Sequence, residues 1–249
     1  ARLKKYQNNK SKKSVSTANN EIDGKTVELY DFENGIPVYR TTFNQNSAET
    51  IGTDRVGSGG ELGFDLDGTN APTIGIWDAG AVRTSHVELE GRVTQQDGSS
   101  DLNDHATHVA GTMIASGFDP SSMGMAPNAT IDAYDWSWDD QEMLQSNLKL
   151  SNHSYGYYRG WSWSWSRGYR WHGDPSVNEF TDYQFGRYNS YSRAWDQIAH
   201  LNYKHLIVVS AGNDRNDKGP SGSTQLPDGI WDCIADYSVS KNTLTVGAV

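Results

Sequence analysis

The sequence has 249 residues, enough to bury the core of one large domain, and its 13 Tyr, 9 Trp and charged fraction of 21% argue against a disordered chain. The net charge is −10, and six of the 21 basic residues fall within the first 13 positions, which leaves 15 basic against 31 acidic residues, a balance of −16. Such a surface repels polyanions, which argues against a nucleic-acid partner, and no apolar run approaches the roughly 18 residues of a membrane span.

The N-terminal part of the chain is predicted to precede the main domain. Residues 1–20 form a basic tail that is expected to be solvated. Residues 21–43 contain two β-prone runs joined through Asn34-Gly35, a pair that tolerates the positive φ of a tight turn, which predicts a β-hairpin. A stretch rich in Gly and Asp follows and ends near residue 70. We therefore assign residues 21–70 to an N-terminal extension.

From residue 71 to 249, short apolar runs alternate with helical stretches, which predicts an α/β domain with a parallel sheet flanked by helices. The predicted buried strands are TIGIWD, ATIDAYD, LKLSNHS, LIVVSAG and TLTVGAV. Helices are predicted from Asp104 to about Ser116, in DDQEMLQSNL and in SYSRAWDQIAHL. The last of these has an apolar face formed by Ala194, Trp195, Ile198, Ala199 and Leu201.

An aromatic insertion interrupts this alternation at about residues 156–185. Its segment GWSWSWSRGYRW is expected to place Trp161, Trp163 and Trp165 on one side of an extended chain, with serines on the other. Two interpretations stay open, a structural packing role and a wall of a substrate groove, and stacked tryptophans would also suit a sugar ring.

Polar residues follow three of the predicted strands. Asp78 ends TIGIWD, Ser154, Tyr155 and Gly156 follow LKLSNH, and Asn213 follows LIVVSAG. In open α/β sheets, ligands bind beyond the carboxyl ends of the strands. We therefore expect these residues to converge on one edge of the sheet.

Six motifs occur in the order and approximate spacing seen in the subtilisin-like serine proteases, namely IGIWDAG, HATHVAGT, MGMAPNA, SNHSYG, VVSAGN and TVGAV. Residues 72–249 therefore resemble the subtilase family, and particularly its bacterial secreted members that carry a tryptophan-rich insertion. The resemblance implies a subtilisin-like fold, with residues 71–249 as the N-terminal portion of the catalytic domain. It also implies a secreted or cell-surface location.

The resemblance assigns a role to each matching residue. Asp78 matches the aspartate that fixes the tautomer of the general base, and His105 matches the base itself. Asn213 matches the asparagine whose amide stabilises the oxyanion. Residues 154–156 match the edge strand that pairs with an extended peptide substrate. His108 matches a second family histidine that is not catalytic, and we expect it to be packed or hydrogen-bonded.

No metal site is predicted. The pair His105 and His108 lacks both the i, i+4 spacing and the intervening Glu of a zinc-binding H-E-x-x-H motif. The Asp-rich loops at residues 65–68 and 213–217 lack the full spacing of a calcium loop. No cofactor is expected to be required, and calcium is possible but cannot be assigned to residues.

The nucleophile of a triad is missing from its family setting. In the family, the serine follows the TVGAV strand by a long interval in a G-T-S segment, and no serine of this sequence has that setting. Ser223, in SGSTQ, lacks the small residues that would open a helix. We expect further polypeptide, in the same or a separate chain, to complete a fold that is otherwise incomplete at its C-terminus, because the last strand would leave a sheet edge open.

These expectations favour a serine endopeptidase that acts on a protein or peptide substrate with an Asp-His-Ser triad whose serine lies outside this chain, so that the chain alone is inactive. The alternative is a catalytically inactive subtilase-like scaffold that binds peptide or glycan. Retention of Asp78, His105 and Asn213 together argues against the alternative. Residues 1–50 are either the end of a prosegment, which the family commonly carries, or an extension of the mature enzyme.

Overall fold

The structure is a computed structural model that describes residues 20–22, 25–33, 36–42, 52–57, 61–118, 122–228 and 233–247. The first strands are β1 (Asn20–Ile22), β2 (Lys25–Glu33) and β3 (Ile36–Thr42), which pair antiparallel in the order β1-β2-β3. Glu33 lies opposite Ile36 in the register of β2 and β3, which confirms the predicted hairpin. Its turn, Asn34-Gly35, lies outside the described residues, as does most of the predicted basic tail.

The remaining described strands belong mainly to one parallel sheet. In chain order they are β4 (Ile74–Asp78), β5 (Val93–Gln95), β6 (Ile131–Asp135), β7 (Leu150–His153), β8 (Tyr155–Tyr157), β9 (Trp161–Ser164), β10 (Gly168–Trp171), β11 (Leu206–Ser210) and β12 (Leu244–Val246). Within the described ranges, six strands form the parallel sheet in the order β12-β11-β7-β4-β6-β5. All five predicted strands contribute to it, which confirms the α/β fold, but the predicted burial is wrong for β12, whose Leu244 and Val246 are exposed. The short edge strand β5, Val-Thr-Gln, has no apolar run that would indicate it.

Helices cover both faces of this sheet. They are α1 (Asp104–Ile114), α2 (Asp139–Gln145) and α3 (Ser190–Leu201). Because side chains alternate along a strand, Ile76 of β4 packs in the cluster that contains α1, whereas Trp77 packs in the cluster that contains α2 and α3. Of the helices in the described part of the chain, none has the length and apolar character needed to span a bilayer.

The apolar face predicted for helix α3 is confirmed except at the last residue of the helix. Trp195, Ile198 and Ala199 are buried, but Leu201 is exposed, so its predicted core position is wrong. The polar residue Asp196 is buried instead, and its carboxylate accepts hydrogen bonds from the backbone of Lys241 and Asn242 at 2.9 and 2.8 Å. The helix therefore also binds the polar segment that leads into β12, a contact that an apolar pattern cannot predict.

The aromatic insertion contains an antiparallel hairpin of β9 and β10. Trp161 and Trp163 alternate with Ser162 and Ser164 along β9, as predicted, but both faces of the strand are covered, because Ser162 and Ser164 are buried along with Trp161. Trp165 lies in the turn between the two strands and is 91% exposed. Ser162 is accommodated in the interior because its hydroxyl lies 2.7 Å from Nε2 of buried His172.

Candidate active site

Asp78 is the last residue of β4 and is buried at the carboxyl edge of the sheet. The chain turns away from it at Gly80, which has a φ of 148° and lies so close to the backbone of Asp101 that a Cβ atom would be 2.6 Å from its carbonyl oxygen. Two backbone hydrogen bonds follow, from Ala81 to Asp101 at 2.8 Å and from Asn103 to Ala81 at 2.9 Å. Glycine at position 80 therefore permits the segment before α1 to lie directly against the end of β4.

Helix α1 begins beside Asp78 because Asn103 caps it. The side chain of Asn103 accepts a hydrogen bond from the backbone of Ala106 at 3.0 Å, which satisfies one of the free N–H groups of the first turn. Thr107 donates its hydroxyl proton to the carbonyl oxygen of Asn103 at 2.9 Å. These bonds set the start of the helix and place His105 in its first turn, facing the end of β4.

The side chains of Asp78 and His105 are in direct contact. Nδ1 of His105 lies 2.9 Å from each carboxylate oxygen of Asp78, and Oδ1 of Asp78 also accepts from the backbone of Ala79 at 2.7 Å. A carboxylate can only accept, so in a neutral ring Nδ1 carries the proton and Nε2 carries the lone pair. Nε2 is buried and has no hydrogen-bond partner among the described residues. An imidazole held in this way can take up a proton at Nε2.

Asn213 lies at the same edge of the sheet. It follows β11, which is separated from β4 only by β7, and the parallel register places both Trp77 of β4 and Val209 of β11 beside His153. Asn213 is half-buried and precedes a short 3₁₀ turn, Asp214–Asn216. In the described structure no hydrogen bond joins Asn213 to Asp78 or His105. The structure thus brings the predicted acid and base into contact and puts the predicted amide donor on their side of the sheet.

The strand predicted to bind peptide is already paired with another part of the chain. Beyond Ser154 the chain leaves the six-stranded sheet, and β8 pairs antiparallel with β3. Thr42 lies opposite Tyr155, Thr41 opposite Gly156 and Arg40 opposite Tyr157. Strand β3 therefore uses the backbone groups of β8 that an antiparallel peptide would use. No sequence signal indicated this contact, because it joins segments more than 100 residues apart.

A sequence model of the subtilase family (Peptidase S8) matches residues 69–249. The chain belongs to the subtilase family. No curated protein sequence matches it. Among solved structures it is similar to the epidermin leader peptide processing serine protease EpiP from Staphylococcus aureus, with 18% identity, a TM-score of 0.47 and coverage of 82% of this chain and 53% of EpiP. It is also similar to the nisin leader peptidase NisP from Lactococcus lactis, with 19% identity, a TM-score of 0.41 and coverage of 67% and 50%. The chain thus spans about half the length of these proteins.

Ser223 and His108 of this subtilase lie apart from the contact between Asp78 and His105. The hydroxyl of Ser223 donates to the carbonyl oxygen of Gln225 in its own loop, at 2.8 Å. His108, expected to be packed or hydrogen-bonded, is exposed on α1 and therefore not packed in the core, but it does have an interaction partner. Asn103 was the functional signal that sequence reasoning missed, although an Asn immediately before a helical stretch is a typical N-cap.

In the Asp-rich loop at residues 65–68 of this subtilase, the carboxylate of Asp67 accepts local hydrogen bonds. Asp67 accepts from the backbone of Thr69 and from the side chain of Asn128, both at 2.8 Å, and the Thr69 bond is the main cause that lowers the pKa of Asp67. Within the described ranges, no three His, Cys, Asp or Glu residues are arranged to hold a metal ion. The expectation that no cofactor is required stays a prediction.

A narrow cavity lies beside β8 in this subtilase. Its walls include Gly156 of β8, Gly212 of the loop that carries Asn213, and the residues Asp214 and Asp236. Asp236 is neutralised by a two-point ion pair with Arg159, with distances of 2.8 and 2.9 Å. Asp228 does not line the cavity, and its pKa is raised to about 8, chiefly by burial and also by the charge of Asp214. The cavity thus lies between β8 and the loop of Asn213, and its lining includes two acidic residues, one of which is held in an ion pair.

Proposed function

We propose that this subtilase chain is the N-terminal portion of a serine endopeptidase that hydrolyses peptide bonds with an Asp-His-Ser triad, and that the serine lies outside these 249 residues. The single observation that carries the proposal is the contact between Asp78 and Nδ1 of His105, which leaves the buried Nε2 ready to accept a proton. We also propose that the protein acts outside the cell or at its surface, as the family resemblance implies.

The proposed reaction uses each group in turn. The serine hydroxyl attacks the carbonyl carbon of the scissile bond while its proton passes to Nε2 of His105, and Asp78 stabilises the imidazolium that forms. The imidazolium returns the proton to the leaving amine as the C–N bond breaks. Water then hydrolyses the acyl-enzyme, with His105 again as the base. Asn213 donates its amide to the oxyanion, an interaction that typically contributes about 3 kcal/mol to transition-state stabilisation.

The proposed substrate is an extended protein or peptide segment that pairs antiparallel with residues 154–156. Strand β3 is evidence that this edge accepts such a partner, because it pairs with β8 in that orientation. The proposed partner that completes the enzyme is the polypeptide that carries the serine.

A fluorophosphonate probe tests the proposal, because it reacts with a serine only when the serine is activated by its base. The sample is the complete protein, by which we mean this chain together with the polypeptide that supplies the serine. We expect covalent labelling of the complete protein, and the 249-residue chain by itself serves as the blank. A folded complete protein that does not label would instead support the inactive scaffold that binds peptide or glycan.

Removal of residues 1–50 is expected to tighten binding of a peptide aldehyde inhibitor to the complete protein by at least about tenfold. The reason is that β3, tethered in the same chain, competes for β8 at a high effective concentration. Inhibition constants measured with and without these residues check the prediction, and removal of residues 1–19 alone, which leaves β1, β2 and β3 in place, is the matched control. Equal constants for all three proteins would mean that the inhibitor does not use this edge.

Mass spectrometry of the purified protein separates the two interpretations of this segment. A mature N-terminus near residue 50 would identify β1 to β3 as part of a prosegment. Retention of these strands in the mature protein would identify them as an extension that must leave β8 before substrate binds.

A further inference from the structure

A continuous chain of hydrogen bonds runs through the core beneath the junction of β7 and β8. It consists of five buried polar side chains, those of His205, Ser151, His153, Tyr155 and Asp139. Ser151 and His153 belong to β7, Tyr155 belongs to β8, and Asp139 is the first residue of α2. The chain therefore connects the interior of the six-stranded sheet to the strand that we propose binds the substrate.

The hydrogen bonds in this chain have one direction. The hydroxyl of Tyr155 donates to Oδ2 of Asp139 at 2.8 Å, so its oxygen accepts from Nδ1 of His153 at 3.0 Å. With that ring neutral, Nε2 of His153 accepts from the hydroxyl of Ser151 at 2.8 Å. The oxygen of Ser151 then accepts from Nε2 of His205, also at 2.8 Å. Asp139 thus sets the tautomer of His153 through the phenol of Tyr155, and that of His205 one step further along, through the hydroxyl of Ser151.

The position of this series of hydrogen bonds explains why β8 needs it. Strand β7 is held on both sides, by β4 and β11, but β8 leaves that sheet after Ser154 and pairs with β3. When β3 is absent, as it must be when a peptide takes its place, side-chain contacts hold β8. The phenol of Tyr155 is the group that ties β8 both to β7, through His153, and to α2, through Asp139.

Aromatic packing restricts this site to one arrangement. The ring of His153 stacks on Trp77 with centroids 5.2 Å apart, and Trp195 meets it edge-on at 4.7 Å. Trp136 contacts the ring of Tyr155 edge-on at 5.6 Å. Because these rings fill the space around His153 and Tyr155, the imidazole and the phenol meet in a fixed geometry.

We propose that Tyr155 is a positioning residue, whose phenol, oriented by the chain from His205 to Asp139, keeps β8 extended and ready to pair with a peptide once β3 has left. The proposal rests on the proposed function in that β8 is taken as the substrate-binding strand. Tyr155 acts on peptide binding through the strand, and it takes no part in the chemistry at His105.

The test compares Tyr155→Phe with the unmodified complete protein. We expect KM for a peptide substrate to rise about tenfold, the size expected when a hydrogen bond to a charged group is lost, with kcat and the rate of fluorophosphonate labelling within about twofold. Tyr188→Phe is the matched control. It removes another hydrogen bond from a phenol to a carboxylate, 2.7 Å to Asp196, that does not belong to the hydrogen-bond series from His205 to Asp139. We expect KM of this control to stay unchanged. An unchanged KM in Tyr155→Phe, or a fall in labelling rate, would overturn the proposal.

A second measurement keeps the test independent of catalysis. Nitrogen-15 NMR of the complete protein is expected to show His153 protonated at Nδ1 and accepting at Nε2, and to show this pattern altered in Tyr155→Phe but preserved in Tyr188→Phe. If Tyr155→Phe does not fold, Ser151→Ala breaks the chain two bonds further back and is expected to raise KM in the same direction by about threefold. A His153 proton on Nε2 in the unmodified protein would overturn the proposal. A complete protein that does not react with the fluorophosphonate would refute the protease function, and the tautomer of His153 would still test the hydrogen-bond arrangement by itself.

Discussion

Replacement of His105 by Ala is expected to lower kcat of the complete protein about 10⁶-fold, because the serine would lose the base that Asp78 holds in place. The effect should appear in kcat more than in KM, since an imidazole that only transfers protons adds little to ground-state binding. Single-turnover hydrolysis of a peptide substrate and the rate of fluorophosphonate labelling both check this, and both should fall together.

His108→Ala is the control for the loss of a histidine from the same helix. His108 lies three residues after His105 and is exposed, so its removal is expected to change kcat by less than about threefold. If His105→Ala retains a tenth of the wild-type rate while the protein stays folded, another group is the base and the proposed triad is wrong. If His108→Ala is as inactive as His105→Ala, the helix rather than the base has been disturbed.

The contact between Asp78 and His105 shows how far local sequence signals reach. Asp78 was predictable as a strand-end residue, whereas His105 was assigned through its match to the subtilase motif HATHVAGT. Their approach within 2.9 Å depends on Gly80, which was predictable as a turn residue, and on Asn103, which caps α1. Local backbone chemistry therefore accounts for most of this pair, because all of its determinants lie within short segments on either side.

The contacts around β8 show where such reasoning stops. The pairing of β3 with β8 and the bond between Tyr155 and Asp139 depend on which remote segments meet in the folded chain. In neither case does the sequence of one segment contain a periodicity or a turn signal that identifies the segment it will contact. The same holds for Leu201 and Trp165, whose exposure is decided by where a helix or strand ends rather than by hydrophobicity.

Replacement of Asp78 by Asn is expected to lower kcat about 10⁴-fold while the fold is retained, because the amide reverses the tautomer of His105. Oδ1 of Asp78 accepts from the backbone of Ala79 at 2.7 Å, so the oxygen of the new amide takes that position. Its nitrogen then faces Nδ1 of His105 in place of Oδ2, which lies 2.9 Å away in the wild type. Since the amide nitrogen donates and the amide oxygen already accepts from Ala79, we expect Nδ1 to accept and the ring proton to move to Nε2, where no lone pair then remains to take the proton of the serine.

Asp135→Asn is the matched control for this substitution. Asp135 ends β6 directly beside Asp78 in the parallel register, and its carboxylate caps the 3₁₀ turn Trp136–Trp138 by accepting from the backbone of Ser137 at 2.7 Å. An amide oxygen can accept that bond as well, so we expect kcat within about threefold of wild type. Steady-state kinetics together with nitrogen-15 NMR of His105 measure both effects, and the ring proton should be on Nε2 in Asp78→Asn alone. A tautomer that stays unchanged in Asp78→Asn, or a kcat within tenfold of wild type, would show that the carboxylate does not orient the base, because the amide removes that function while keeping the size of the side chain.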